Sequence, residues 1–411
     1  MDKRVPEVRF KGFTDDWEQQ KSNKIFKPLS KKGFEKLPVL SVTQDDGVIK
    51  RSDLNMDIKY TTASLHNYKL IEPHNFVISL RSFQGGFELS DITGVVSPAY
   101  TIFSFKENNN QDELFWKYKF KTHNFIQSLK TITFGIRDGK SISFSEFKSL
   151  PLVFPNNKKE QKEIGKSFII LEKMIMLERE KLNLYESLKK YMLQNLFPTI
   201  EERKSNLIFT SSNTTWKQYY LFDVINKIID FRGLTPKKLG LDWSKDGILA
   251  LSALNVKNNY IDKDINIHYG NELLYSKWMK DTHLHKGQVL MTTEAPMGNV
   301  AQVPDKNKYI LSQRVIAFDT NEQKITDDFL AITLHTTRVF NDLLSLSSGG
   351  TAKGVSQRSL SQLKINIPSN IDYQNDISDY YKLLNKKISE TQSHLHSYKM
   401  LKKYFLQKLF L

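Results

Sequence analysis

Residues 185–197 read YESLKKYMLQNLF, and residues 398–410 read YKMLKKYFLQKLF. The match extends well upstream. Shifting the chain by 213 residues aligns 155–197 with 368–410 without a gap, and 17 of the 43 positions are identical. A repeat of this length marks a duplicated structural unit, because each copy must bury a similar face. In the first copy, heptad spacing lines up Ile164, Leu171, Glu178, Tyr185 and Met192 in one row and Phe168, Ile175, Leu182, Lys189 and Leu196 in another. The second copy repeats this with Ile377, Leu384, Thr391, Tyr398 and Phe405, and with Tyr381, Ile388, Leu395, Lys402 and Leu409. An apolar row every 3.5 residues is the pattern of a coiled coil, and polar residues at matched seam positions fix its register. The spacing predicts two long helices that pack on each other through Leu171, Ile175, Leu182, Tyr185, Leu384, Ile388, Leu395 and Tyr398.

The blocks in front of the helices correspond more weakly. Trp17-Glu-Gln near the start of one matches Trp216-Lys-Gln near the start of the other. Residues 75–86 run parallel to 287–298, and 97–103 to 312–318. The segments 149–155 and 362–368 are alternating strands that lead into each helix through Pro155 or Pro368. Short β-rich segments separated by Asp-Gly and Gly-Gly turns predict strand-rich domains with little helix. The expected fold is therefore mixed α/β (α+β) with a pseudo-two-fold internal repeat. Its parts are a strand-rich domain over 1–154, a helix over 155–198, a polar linker over 199–215, a second strand-rich domain over 216–367 and a second helix over 368–411. The helices agree far better than the domains, so the helices share one task and the domains have two different ones.

Bulk composition narrows the partners. The chain has 411 residues, enough for more than one core. Its net charge is +15, and nine of those charges lie outside the helical stretches. A basic surface of that extent suits a polyanion, with nucleic acid first and an anionic membrane surface second. No apolar run reaches 18 residues, and the opening MDKRVPEVRF has no apolar core of a secretory signal. Cysteine is absent, which removes disulfides, thiolate metal sites and cysteine nucleophiles. The expectation is a cytoplasmic protein with no membrane partner.

The ordered set of segments resembles the specificity subunit of type I restriction–modification systems. The residues that carry the likeness are VPEVRFKGFTDDWEQ at 5–19, LRSFQGG at 80–86 and SPAY at 97–100. The EQKEI stretch at 160–164 and the terminal LKKYMLQNLF and LKKYFLQKLF complete the set. The resemblance implies a DNA-reading subunit without catalysis of its own, whose two variable target-recognition domains read an asymmetric bipartite double-stranded target. It also implies that the helices form an antiparallel pair separating the domains and docking two methyltransferase subunits, through which endonuclease–translocase subunits join. S-adenosylmethionine, ATP and magnesium then belong to those partners, and this chain carries no cofactor and no metal.

Chemical motifs agree with a non-catalytic reader. No N/D-P-P-Y/F motif of an adenine-amino methyltransferase occurs. The run 135–141, GIRDGKS, is one residue short of a phosphate-binding P-loop. The alternative, a stand-alone nuclease, rests on Asp138 with Glu146 and Lys148, a pattern common by chance in lysine-rich chains. Three sets of residues suit DNA better. The glycine-rich loops 134–143 and 347–358 offer Arg137, Lys140 and Ser141, and Lys353, Ser356 and Gln357. Strand ends before glycine turns offer Arg81, Ser82 and Gln84, paralleled by Thr292, Thr293 and Glu294. A third set is Arg232, Thr235 and Lys237, paralleled by Lys27 and the Lys31-Lys32 pair. Glycine allows close backbone approach, lysine neutralises phosphate, arginine reads guanine and glutamine reads adenine.

Overall fold

The computed structural model describes residues 4–43, 46–54, 62–79, 86–106, 110–131, 142–198, 214–349 and 353–411. It divides into two compact units. One is Met1–Glu180 with Gln392–Leu411, and the other is Lys181–Thr391.

In the first unit, Glu18–Lys21 pairs antiparallel with Pro151–Phe154, the strand that runs into the first long helix. Four further strands form an antiparallel sheet in the order Phe26–Leu29, Thr101–Phe105, Phe76–Ile78 and Phe87–Leu89. Its core is rich in aromatic rings, which fill space by meeting edge to face: Phe26 and Phe103 at 5.2 Å and 90°, Phe87 and Phe125 at 5.0 Å and 89°. Helices Glu113–Lys119 and His123–Leu129 cover the sheet, their first N–H groups taken up by Asp112 and Thr122. The opening residues are anchored to the long helices of this unit. Val8 N donates to Lys408 O at 3.0 Å, Arg9 forks onto Glu160 at 2.7 and 2.9 Å, and Trp17 Nε1 donates to Glu160 at 3.2 Å.

The second unit repeats the plan with a different core. Trp216–Tyr220 pairs with Lys364–Pro368, and a four-stranded antiparallel sheet runs Ile225–Asp230, Val315–Thr320, Val289–Thr293 and Met297–Gln302. Here the core is mostly aliphatic, with Val289, Met291, Ile316, Leu330 and Ile332 buried. The repeat persists at the level of single hydrogen bonds. Gln161 donates to Pro155 O at 2.8 Å and accepts from Asp112 N at 2.8 Å. Gln374, 213 positions later, does the same with Pro368 O and Thr326 N, both at 3.0 Å. Each buried glutamine ties the base of a long helix to the strand before it and to the cap of a domain helix.

The predicted long helices are Lys158–Leu196 and Ile371–Lys408. Residues 158–180 and 392–408 fall in the first unit, and 181–196 and 371–391 in the second. Within each unit the two helices run antiparallel, and the seam lysines set the register. Lys402 donates to Glu172 at 2.6 Å in the first unit, where His394 also approaches Glu178 at 3.9 Å. In the second unit Lys189 donates to Asn385 at 2.6 Å and lies 4.8 Å over the Tyr381 ring. Positions 189 and 402 are repeat equivalents, and so are 172 and 385. Burial pushes Glu172 up, but hydrogen bonds from Lys402 and Tyr118 outweigh it and hold its carboxyl below the usual range. Of the seam residues, Leu171, Ile175 and Leu384 are buried, while Leu182, Tyr185, Ile388, Leu395 and Tyr398 are half-buried. The expected fold class holds.

Each unit also takes its core from both helices. Ile164 and Phe168 join Leu409 and Phe410 in the first, and Met192 and Leu196 join Ile377 and Leu384 in the second.

One buried acid gives the first unit a pH dependence. Glu88, on a sheet strand and paired with Lys121, is pushed up to about 7 by burial, which the lysine only partly offsets. A raised carboxyl contributes stability below its unfolded value near 4.5 and loses it as pH climbs to 7. That loss is on the order of 3 kcal/mol. Thermal melts of Glu88→Gln should show the variant more stable than the parent at pH 8 and little different at pH 5. A parent whose first unit melts at the same temperature across that window would contradict this.

Candidate nucleic-acid interface

The second unit brings one edge of its sheet together with several loops. Asp230 ends its strand opposite Ile316, and Thr292 pairs with Val315, so residues 230–232, 293–294 and 314 emerge at the same end. Residues 353–355 join them: Gly354 bridges Glu294, and Val355 N donates to Thr293 O at 3.0 Å.

Asp230 is the hub of this edge. Its carboxylate accepts from the Arg232 backbone N–H at 2.9 Å, from Arg232 Nε and Nη2 at 2.7 and 2.6 Å, and from Gln357 Nε2 at 2.9 Å. Burial raises its pKa, yet these donors prevail and hold the carboxyl below the usual range. Arg232 Nη1 reaches Val355 O at 3.3 Å. The guanidinium is thereby held in one orientation while still a third exposed. A charged side chain fixed before binding loses less entropy on contact. Arg314 stands beside it with left-handed backbone (φ 62°), its carbonyl accepting from Thr293 N at 2.9 Å and its Nε 3.5 Å from Glu294. Gly298 permits the turn here, since it has φ 85° and a Cβ would stand 2.8 Å from Phe340.

Two of the expected sets converge at this edge, since Arg232 and Gln357 share Asp230. Thr235 caps the short helix Pro236–Leu239 and Ser356 caps Gln357–Leu360. Lys237, Lys238, Lys353 and Arg358 are exposed around them. Thr292 and Thr293 correct the expectation. They are 0% and 1% exposed, and Thr292 Oγ1 accepts from Asn299 N at 2.9 Å, so these hydroxyls face the interior and offer a duplex nothing. The polar group of that turn that reaches the surface is Glu294, which is half-buried. Sequence reasoning missed Asp230 and Arg314, although each stands at the end of a readable strand. Arg81, Ser82, Gln84, Arg137, Lys140 and Ser141 lie outside the described residues, as does Asp138. Glu146, the other acid of the nuclease alternative, is engaged in a capping box with Ser143.

Residues 213–396 match the family of type I restriction modification DNA specificity domains. The second half of the chain is therefore similar to a type I restriction–modification DNA specificity domain. The resemblance read from the sequence is thus borne out, and the edge around Asp230 lies within the matched residues. Solved structures share the fold over both repeats. The S subunit of a type I restriction–modification system from M. genitalium matches over 99% of each chain, with 14% identity and a TM-score of 0.61. The HsdS subunit from Thermoanaerobacter tengcongensis matches over 96% of each, with 12% identity and a TM-score of 0.50. A structure described as bearing on complex assembly and conformational transition of the type I R-M system matches over 96% of this chain and 97% of that one, also at 12% and 0.50. Among the described residues no helix is long and apolar enough to cross a membrane.

Removing the hub tests the edge. Asp230→Ala should leave the second unit folded while releasing both Arg232 and Gln357. Binding to the preferred DNA should weaken by about 1–3 kcal/mol, the value of one good base contact, with less change on unrelated DNA. Equal weakening on every sequence would show that these side chains meet phosphates only.

Proposed function

We propose that this chain is the non-catalytic DNA-reading subunit of a type I restriction–modification enzyme, with each domain recognising one half of an asymmetric bipartite duplex target. The observation that carries this reading is the Asp230 hub, which orients an arginine and a glutamine on a basic edge of a DNA specificity domain. Arg232 suits the O6 and N7 of guanine, and Gln357 suits the N6 and N7 of adenine. Lys237, Lys353 and Arg358 supply the phosphate contacts that position the duplex without reading it.

The helices serve as the scaffold for partners. Ile170 of the first unit is exposed, as are Leu401 and Tyr404 of the antiparallel strand of helix beside it. The register Glu172 to Lys402 puts Ile170 level with Tyr404. The second unit repeats this patch with Leu383, Leu188 and Tyr191, all exposed, at equivalent positions. Two copies of one apolar patch suit two copies of one partner, which supports the reading that two methyltransferase subunits dock here and that endonuclease–translocase subunits join through them. S-adenosylmethionine, ATP and magnesium act on those partners.

Reconstitution decides the matter. The chain, its methyltransferase partner, S-adenosylmethionine and DNA should methylate together, and neither protein should do so alone. DNA cutting by this chain alone with magnesium would instead favour the nuclease alternative. Exchanging residues 1–150 for the corresponding block of a relative should then change one half of the methylated sequence and leave the other as it was. A change in both halves would contradict independent reading.

A further inference from the structure

A groove of about 570 Å³ lies in the first unit, at the far end of the sheet from the position equivalent to the reading edge. Phe26 and Phe105 pair at the groove end and Leu29 and Ile102 at the other, and it is the latter pairing that corresponds to Asp230 and Ile316. Lys27, Lys106, Lys158 and Lys162 line the groove. The two acids beside them are already occupied: Asp112 accepts from Leu114 N and Phe115 N at 3.1 Å, and Glu113 is 2.6 Å from His74 Nδ1. Among the described residues no carboxylate lies within ion-pair distance of Lys27, Lys106 or Lys162, whose exposed ammoniums ring the groove.

The second unit shows that the fold does not require these lysines. Gln161 and Gln374 fix the helix alignment, so Lys158 and Lys162 correspond to Ile371 and Asn375. The paired strands fix the rest: Lys106 corresponds to Asn321, and Lys27, opposite Ser104, corresponds to Lys227, which stands opposite Asp319. Three cations of the first unit thus become uncharged, and the fourth gains an acid across the strand. With four ammoniums against the two carboxylates of Asp112 and Glu113, the groove keeps a net positive charge that favours an anion among the lysines. Lysine is a point-charge ligand for phosphate, and the Asn75 and Ser104 side chains add hydrogen-bonding groups at the rim. The volume lies in the range of small-molecule sites.

We propose that this groove binds a phosphate chain, of the class of nucleoside triphosphates and inorganic oligophosphates. The site belongs to the first unit alone and is independent of the DNA-reading edge. The test gives the first unit the second unit's own groove residues, in the full-length variant Ser104→Asp/Lys106→Asn/Lys162→Asn. Calorimetric titration with inorganic tripolyphosphate and with ATP, near physiological salt, should give saturable one-to-one binding to the parent. The variant should bind about tenfold more weakly or worse, since each lost charged hydrogen bond is worth roughly a factor of ten, while its affinity for duplex DNA stays the same. Equal affinity for the two ligands assigns recognition to the phosphates alone; tighter ATP binding adds the nucleoside. Lys162→Asn alone, at an exposed helical position, should weaken binding about threefold or more and guards against misfolding of the triple variant. The proposal is overturned if neither ligand saturates, if the variants bind as the parent does, or if duplex DNA is the only polyanion whose binding falls.

Discussion

Replacing Phe410 by alanine is expected to destabilise the first unit by about 3–5 kcal/mol, the usual cost of emptying a buried phenylalanine site. The ring is 4% exposed, 5.4 Å from Phe115 and 5.8 Å from Phe168, with the Lys119 ammonium 5.9 Å from its centre. Phe115 belongs to a domain helix and Phe168 to the first long helix, so one residue near the end of the sequence closes a core built almost 300 positions earlier. Collapse cannot fill the gap, because Phe115 is held from behind by Trp17 and Trp116. The paired control is Tyr404→Ala, a neighbour on the same helix that is 45% exposed and should change stability by no more than about 0.5 kcal/mol. Denaturant unfolding followed by tryptophan fluorescence separates the two. If Phe410→Ala were as mild as Tyr404→Ala, the C-terminal helical turn would not be part of the first unit's core. Loss of that core should also abolish recognition of one half of the DNA target.

Salt should change DNA affinity by a comparably large factor. The proposed reading edge of the second unit presents Arg232, Lys237, Lys238, Arg314, Lys353 and Arg358 against the acids Asp230, Asp242 and Glu294. Two of those acids are bound to arginines of the edge, and a duplex releases counterions wherever a cation meets a phosphate. Six phosphate contacts from the two domains together give a log–log slope of about −5, a loss on the order of a thousandfold between 50 and 200 mM salt. Lys353→Glu should weaken binding on all sequences alike, because phosphates carry no sequence information. Arg232→Ala should instead lower the preference for the cognate half-site. Fluorescence anisotropy across a salt series measures both. An affinity independent of salt would remove the electrostatic basis of the reading, and identical behaviour of the two variants would remove the division between positioning and reading.

The two predictions differ in how far their residues could be read from the chain. The heptad rows were legible because a helix repeats its environment every few residues, so Leu171, Ile175 and Leu384 announce their burial by spacing alone. Arg232 and Gln357 were legible as types suited to base edges. Their union was not: 127 positions separate Asp230 from Gln357, and only the meeting of a strand end with a distant loop creates the hub. Thr292 and Thr293 misled for a related reason. Polar residues before a glycine turn look like surface, yet the strand that carries them runs between two others and both hydroxyls point inward. Arg314 carried no signal beyond its place before a strand.

By itself, the sequence determined the duplication, the two long helices and their seam, the strand-rich character of both domains and the cationic excess that calls for a polyanion. These follow from local periodicity and composition, which survive without knowledge of what packs where. Tertiary structure alone decided which part of each helix joins which core, with Leu409 and Phe410 closing the first unit and Met192 and Leu196 the second. It also decided that the matched seam lysines find different partners, Glu172 for Lys402 and Asn385 for Lys189. A buried ammonium must be hydrogen-bonded wherever it lies, but the group that does so is chosen by proximity across the helix pair, and proximity between remote segments is a property of the packed chain.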